Sequence, residues 1–351
     1  MLADERTLSQ GVAAMRQSRL LRAAGLLVAQ SAVVALLVFL TTYNLEHYPR
    51  TWFDEGSHLH VPKTLVQNGV YADRSAEGFR YYGPTAGVGP TVLLPIALVF
   101  KLAGIGLLQA RLVMVVYLLA AILLFAAAVR YKYGLKVAGL ATALLITSPS
   151  INLLYLGRQV LGEVPALAFL MLGLLAWWRS TAQGRYATAH LMLATLSFGL
   201  TALTKNQFTL VLMPTFVTLL ALDYLYYRQL APRFYLVPLL GTVGAATLGY
   251  LVQVLIALAG TGDAVATLRL LRDASGGAIF VFSPARMLSS LKFLMGPDVF
   301  AYWGLPALAY GLFLARQRNL GGLHQAFLVV FALVGLTWFA LGSIGWPRYA
   351  F

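Results

Sequence analysis

The sequence predicts an all-α polytopic membrane protein: a single integral membrane domain over residues 1–351, built as a bundle of about nine transmembrane helices. Three observations carry that expectation. Of the residues, 60% are apolar and only 11% are charged, whereas soluble domains carry about 45–50% apolar and roughly 25% charged residues. Uncharged runs long enough to cross a bilayer recur along the chain. Lys and Arg collect in the short segments between those runs, as the positive-inside rule requires.

The runs lie at 23–45, 112–129, 137–157, 164–178, 186–204, 206–222, 234–262, 299–315 and 319–347. Each can cross, or nearly cross, a hydrocarbon core about 30 Å thick at roughly 1.5 Å per helical residue. Residues 1–22 form a basic cytoplasmic N-terminus. The run after them is too long for a signal peptide and no small-residue cleavage site closes it, so it is read as an uncleaved first span. A further uncharged stretch, 81–100, holds Gly83, Pro84, Gly87, Gly89, Pro90 and Pro95. Such a density of Gly and Pro weakens a helix by entropy and by lost hydrogen bonds. Residues 81–90 are therefore expected as a loop and 91–103 as a short surface helix. Nine spans then place the basic segments 130–136, 179–185, 228–233 and 316–318 on the cytoplasmic side. Two long outer loops remain, 44–110 and 260–298, and nine of the twelve acidic residues fall outside.

The net charge of +14 belongs to this pattern. No basic stripe alternates with stacking aromatics, so no nucleic-acid partner is expected. The chain has no cysteine, which removes disulfides and thiol nucleophiles from consideration and leaves the compartment unmarked by redox chemistry. It also lacks a P-loop, a Gly-x-Gly-x-x-Gly turn and a Gly-x-Ser-x-Gly elbow.

Chemistry-bearing residues gather at outer span ends. The first outer loop opens Trp52-Phe53-Asp54-Glu55-Gly56-Ser57-His58, with the acidic pair just after span one. Neighbouring residues do not share a helix face and point oppositely on an extended chain, so one carboxylate reaches a given substrate. A helix with Pro62 in its first turn and closed by Asn68-Gly69 is expected to support the pair. Solvated loop acids are the plainer alternative. Glu163 stands at the outer end of span four, where an ionisable group near hydrocarbon is a functional candidate; an ion pair with Arg158 or a helix-dipole contact is the structural alternative. Arg111, Arg158 and Lys205 lie at outer span ends, where topology does not call for them. They suit a phosphate-bearing headgroup, though each alone reads more readily as a snorkelling anchor. His58 and His60 beside Asp54 lack metal-ligand spacing.

In their order along the chain, these residues resemble the GT-C membrane glycosyltransferases, within them the relatives of bacterial protein O-mannosyltransferases and of the lipid A aminoarabinose transferase. The resemblance rests on Asp54-Glu55, Gly69-Val70-Tyr71, Gln109-Ala110-Arg111-Leu112, Ser148-Pro149, Gly157-Arg158 with Gly162-Glu163-Val164-Pro165, and Leu203-Thr204-Lys205, over roughly residues 40–215. Downstream, Trp346-Pro347-Arg348-Tyr349 is similar to the family's Pro-Arg-Tyr segment. The resemblance implies a GT-C-like fold in the plasma membrane and inverting transfer of a hexose or pentose, on the outer face, from a polyprenyl-phosphate donor to an acceptor hydroxyl. It implies Asp54 as general base with Glu55 supporting it, Glu163 at the second acidic position (often Asp in relatives), and Arg111, Arg158 and Lys205 on the phosphate. His58, Arg348 and Tyr349 are candidate substrate contacts. Some relatives use a divalent metal and others none; no cofactor is fixed by the sequence. The partners implied are the donor, membrane lipids and an acceptor that is a protein, a lipid or a glycan. Members of the family often run longer, so a short member and a sequence cut at its C-terminus are both compatible with the end at Ala350-Phe351. A multi-span lipid or solute transporter is the competing class. It predicts an internal repeat and midplane charges, and neither is visible.

Overall fold

The structure, a computed structural model, describes residues 31–76, 78–81, 88–182, 184–275, 283–296 and 302–343, with Leu21, Ala24, Gly25 and Val28. Among them are fourteen helices and one two-stranded hairpin. Residues 1–45 and 46–351 form two compact units. Within the first, α1 spans Ser31–Thr42.

The second unit begins with α2 (Phe53–Asn68), the hairpin β1 (Asp73–Ser75) and β2 (Gly78–Arg80), and α3 (Pro90–Ala103). The long helices α4 (Leu107–Tyr133), α7 (Glu163–Thr181), α8 (Ala187–Thr204), α9 (Gln207–Leu222), α10 (Arg233–Thr261) and α14 (Leu320–Gly342) follow. Between them stand α5 (Leu135–Thr147), α6 (Leu153–Leu156), α11 (Ala264–Ser275), α12 (Pro284–Leu294) and α13 (Gly304–Ala315). A π turn, Asp223–Tyr227, extends α9. Six of these helices are long and apolar enough to cross a membrane: α4, α7, α8, α9 with its π turn, α10 and α14. They fall on six of the nine expected runs. The protein is an integral membrane protein of all-α fold.

One run departs from expectation. The run 137–157 does not form one helix: α5 stops at Thr147 and the short α6 starts at Leu153. Ser148-Pro149 lies in the gap. A proline disfavours the α conformation of the residue before it and cannot donate to the helical ladder, so an apolar run need not be a continuous helix. The described residues of the runs 23–45 and 299–315 include the helices α1 and α13.

α7 packs against α4 and α8, and α8 in turn against α10. Lipid tails are as apolar as Leu, so these helices gain from close packing and interhelical hydrogen bonds rather than from hydrophobic transfer. The rings of Trp177, Phe198, Phe216 and Phe327 interlock at centroid separations of 5.1–6.4 Å, and Trp177 Nε1 donates to Phe234 O at 2.7 Å. A second apolar cluster lies under α2, α3 and α4: Val61, Val92, Ile96 and Met114, joined by Val160 from the loop between α6 and α7. That cluster positions the site.

α2 differs in one respect from expectation. It starts at Phe53, takes Asp54 and Glu55 into its own first turn, and has Pro62 in its interior. Acidic side chains beside the exposed N–H groups of a first turn are favoured by the helix dipole, and the N–H missing at Pro62 costs one bond, to the His58 carbonyl. The end is as expected: Gly69 caps the helix in the left-handed conformation and donates to Leu65 O.

Candidate active site

The acidic pair on α2 divides. Glu55 is buried, and Arg111 of α4 grips it through both sides of the guanidinium fork, Nε to Oε1 at 2.9 Å and Nη2 to Oε2 at 2.7 Å. The Val160 amide adds a third N–H bond to Oε1 at 3.2 Å. Neither side chain of the pair is exposed. A buried carboxylate is tolerable when a bidentate cation and further donors meet it, and this one has both. Arg111, expected on the donor phosphate, pairs with Glu55. Asp54, half-buried, lies one residue back on the helix and so on another face.

The loop between α6 and α7 is stitched to α2 by its backbone. Val160 is fully buried, and its peptide serves two side chains: the N–H reaches Glu55, and the carbonyl meets His58 Nδ1 at 2.7 Å. Gln159 Nε2 donates to Arg50 O at 3.0 Å. Arg158 is buried, with its guanidinium carbon 5.6 Å from the Tyr48 ring centroid, a cation–π contact. Burial, and then the charge of Arg111, draw Arg158 below the usual guanidinium range; Tyr48 opposes them.

Glu163 is the first residue of α7, and its Oε1 lies 3.1 Å from Lys205 Nζ. Glu163 is thus ion-paired with Lys205. Lys205 caps the C-terminal end of α8. An anion at a helix N-terminus and a cation at a helix C-terminus each suit the dipole of their own helix. The α8 end is itself held from α3: Gly89 N–H donates to Thr204 O at 2.9 Å, and the hydroxyls of Thr91 and Thr204 meet at 2.7 Å. A Cβ on Gly89 would lie 1.6 Å from Leu203 O, so only glycine allows this approach. Sequence reasoning had treated this glycine as a helix breaker, although Gly87-Val88-Gly89-Pro90 ahead of an apolar run also marks a close backbone contact.

His58, half-buried and four residues after Asp54, stands where these elements meet. Its pKa is lowered, first by burial and also by Lys205; the Val160 bond, Asp54 and Glu163 pull the other way. Those effects place Asp54, Glu163 and Lys205 within electrostatic range of one imidazole. The arrangement offers a carboxylate, an imidazole and a cation near one another, the components of a proton transfer next to a developing negative charge. His60 pairs instead with Asp73, at 3.4 Å, and Asp73 also takes Arg80. Among the described residues no group of three or more His, Asp or Glu side chains is placed to hold a metal ion. Glu55 and Glu163 already face cations that a resident divalent metal would have to displace. Arg348 and Tyr349 lie outside the described residues.

The fold is GT-C-like. Two solved structures of ArnT from Cupriavidus metallidurans are similar to this chain: the apo state at 17% identity and the state bound to undecaprenyl phosphate at 16%. Each has a TM-score of 0.64, over 93% of this chain and 57% of ArnT. The chain thus spans a little over half the length of those structures. No family model and no curated protein matches it.

Proposed function

We propose that this protein is an inverting glycosyltransferase that moves a sugar from a polyprenyl-phosphate donor to an acceptor hydroxyl at the outer face of the membrane. One observation carries the reading: Glu163 of α7 is paired with Lys205 of α8, and the loop that leads into α7 is hydrogen-bonded to His58 of α2, one turn after Asp54. Two further facts support it: the likeness in fold, and the undecaprenyl phosphate bound in one ArnT structure.

In this reading Lys205 and Arg158 receive the donor phosphate. An ammonium has three N–H donors, so Lys205 can meet a phosphate oxygen while still touching Glu163. Arg111 acts one step removed, by holding Glu55 and with it the first turn of α2. Asp54 takes the proton of the acceptor hydroxyl as its oxygen attacks the anomeric carbon. The bond from that carbon to the phosphate oxygen breaks, its electron pair leaves with the phosphate, and the cations stabilise the charge that develops. Attack opposite the leaving group inverts the anomeric centre.

The test is transfer by the protein in proteoliposomes supplied with a panel of undecaprenyl-phosphate hexoses and pentoses and extracted envelope acceptors. Asp54→Asn should lower turnover about 10²- to 10⁴-fold while insertion and undecaprenyl-phosphate binding stay intact. Turnover near that of the wild type would remove Asp54 as the base.

A further inference from the structure

The bond between His58 and the Val160 carbonyl fixes more than the position of the ring. A carbonyl oxygen only accepts hydrogen bonds, so the hydrogen sits on Nδ1, and in the uncharged ring Nε2 then carries a lone pair. Burial of the ring disfavours its second proton. The loop that supplies the carbonyl is pinned by the buried Val160 side chain and by the Val160 amide on Glu55, so turning the imidazole breaks its bond to a fixed carbonyl. The charged groups that face it are Asp54 on its own helix, Glu163 at the start of α7 and Lys205 at the end of α8.

We propose that His58 is a specificity-determining residue whose Nε2 accepts a hydrogen bond from a hydroxyl of the sugar being transferred. This rests on the glycosyltransferase reading above. In an inverting displacement the sugar lies between the attacking oxygen and the leaving phosphate. Asp54 stands at the first in that reading and Lys205 at the second; His58, one turn after Asp54 and bonded to the loop that leads into Glu163 and its Lys205 pair, therefore borders the sugar. A buried acceptor that must be matched by a hydroxyl discriminates strongly against a sugar presenting no hydroxyl there.

Two substitutions separate the anchor from the acceptor. In His58→Asn the amide nitrogen sits where Nδ1 was and keeps the Val160 bond, but nothing reaches the Nε2 position. In His58→Gln an acceptor is restored near Nε2 while the anchor is lost. The experiment compares wild type and both variants in proteoliposomes. It measures binding of undecaprenyl phosphate alone, which has no sugar, and kcat/KM with whichever undecaprenyl-phosphate sugar of the panel the wild type turns over.

His58→Asn should bind undecaprenyl phosphate as the wild type does and lose about 10- to 100-fold in kcat/KM. His58→Gln should recover a substantial part of that loss, and the fall in rate that His58 protonation imposes on the wild type, at a pH lower than the imidazole's ordinary 6.5, should be absent from it. Turnover of His58→Asn within twofold of wild type overturns the proposal. So does equal weakening of sugar-free undecaprenyl-phosphate binding, which would make His58 a prop for the loop. Transfer that survives in Asp54→Asn removes the base assignment and leaves the His58 comparison standing. A wild type that uses no donor of the panel sinks the transferase reading and this proposal with it.

Discussion

Replacing Glu55 by Leu tests the pairing that most changes the reading of the site. In the wild type, three N–H bonds converge on one carboxylate, and neither it nor Arg111 is exposed. The Glu55→Leu variant keeps the approximate volume but leaves the Arg111 guanidinium buried without its anion. Breaking a buried pair from one side costs about 3–5 kcal/mol, whereas replacing both members with apolar groups is often neutral. The single variant is therefore expected to lose about 3–5 kcal/mol of stability, and Glu55→Leu combined with Arg111→Met to regain most of it. The measurement is SDS-induced unfolding in mixed micelles, followed by far-ultraviolet circular dichroism, with undecaprenyl-phosphate binding measured on the same samples. A single variant that loses less than about 1 kcal/mol, the scale of an exposed pair, would refute the argument. A double variant that folds well but no longer binds undecaprenyl phosphate would return Arg111 to the phosphate.

Lys205→Ala should weaken undecaprenyl-phosphate binding roughly 10- to 150-fold, the worth of a hydrogen bond to a charged group; unchanged affinity by calorimetry would dismiss Lys205 as a ligand. Gly89→Ala should cost about 1–3 kcal/mol, because its Cβ would meet Leu203 O and force α3 away from the end of α8; wild-type unfolding behaviour would show that the contact is loose. The His58 pKa lies below its ordinary 6.5 in the folded protein, so the unfolded chain binds the extra proton first. Stability should be fully present above about pH 6.5 and fall by about 1.4 kcal/mol per pH unit below it until the folded ring titrates. His58→Gln should flatten that limb in unfolding titrations, and an identical limb in the variant would assign the acid sensitivity elsewhere.

The parts of the fold legible in the sequence are those set by local composition. Six of the expected spans are helices because uninterrupted apolar runs in lipid have no cheaper way to satisfy their backbone. Asn68-Gly69 was legible as a stop because a left-handed cap favours glycine. Counting charges could not see Ser148-Pro149 divide the run 137–157, since hydropathy registers polarity and not backbone freedom. The acidic pair was legible as a place, and so was its split, because adjacent residues diverge on a helix. Which cation met which acid was not legible. Arg111 lies 56 residues from Glu55 and Lys205 lies 42 from Glu163, and such pairings are decided by how helix ends meet. The role of Val160 was hidden for a different reason: its backbone makes the contacts, and its side chain reads only as apolar.

That backbone role explains how the charged groups of the site are held in register with one another. If Glu55 were fixed only by Arg111, the two could shift together as a unit, and the first turn of α2 would shift with them. The Val160 amide ties the pair to the loop that leads into α7, and the Val160 carbonyl ties the same loop to His58 one turn further along α2. One apolar residue, packed under α2, α3 and α4, thus sets the register between the helix that carries Asp54 and the helix that begins with Glu163. Gly89 does the corresponding work for Lys205 by docking on the α8 end. The rigid frame of the site is made of main-chain bonds and one sealed ion pair. Asp54, His58, Glu163 and Lys205 are the groups that such a frame can present to a substrate.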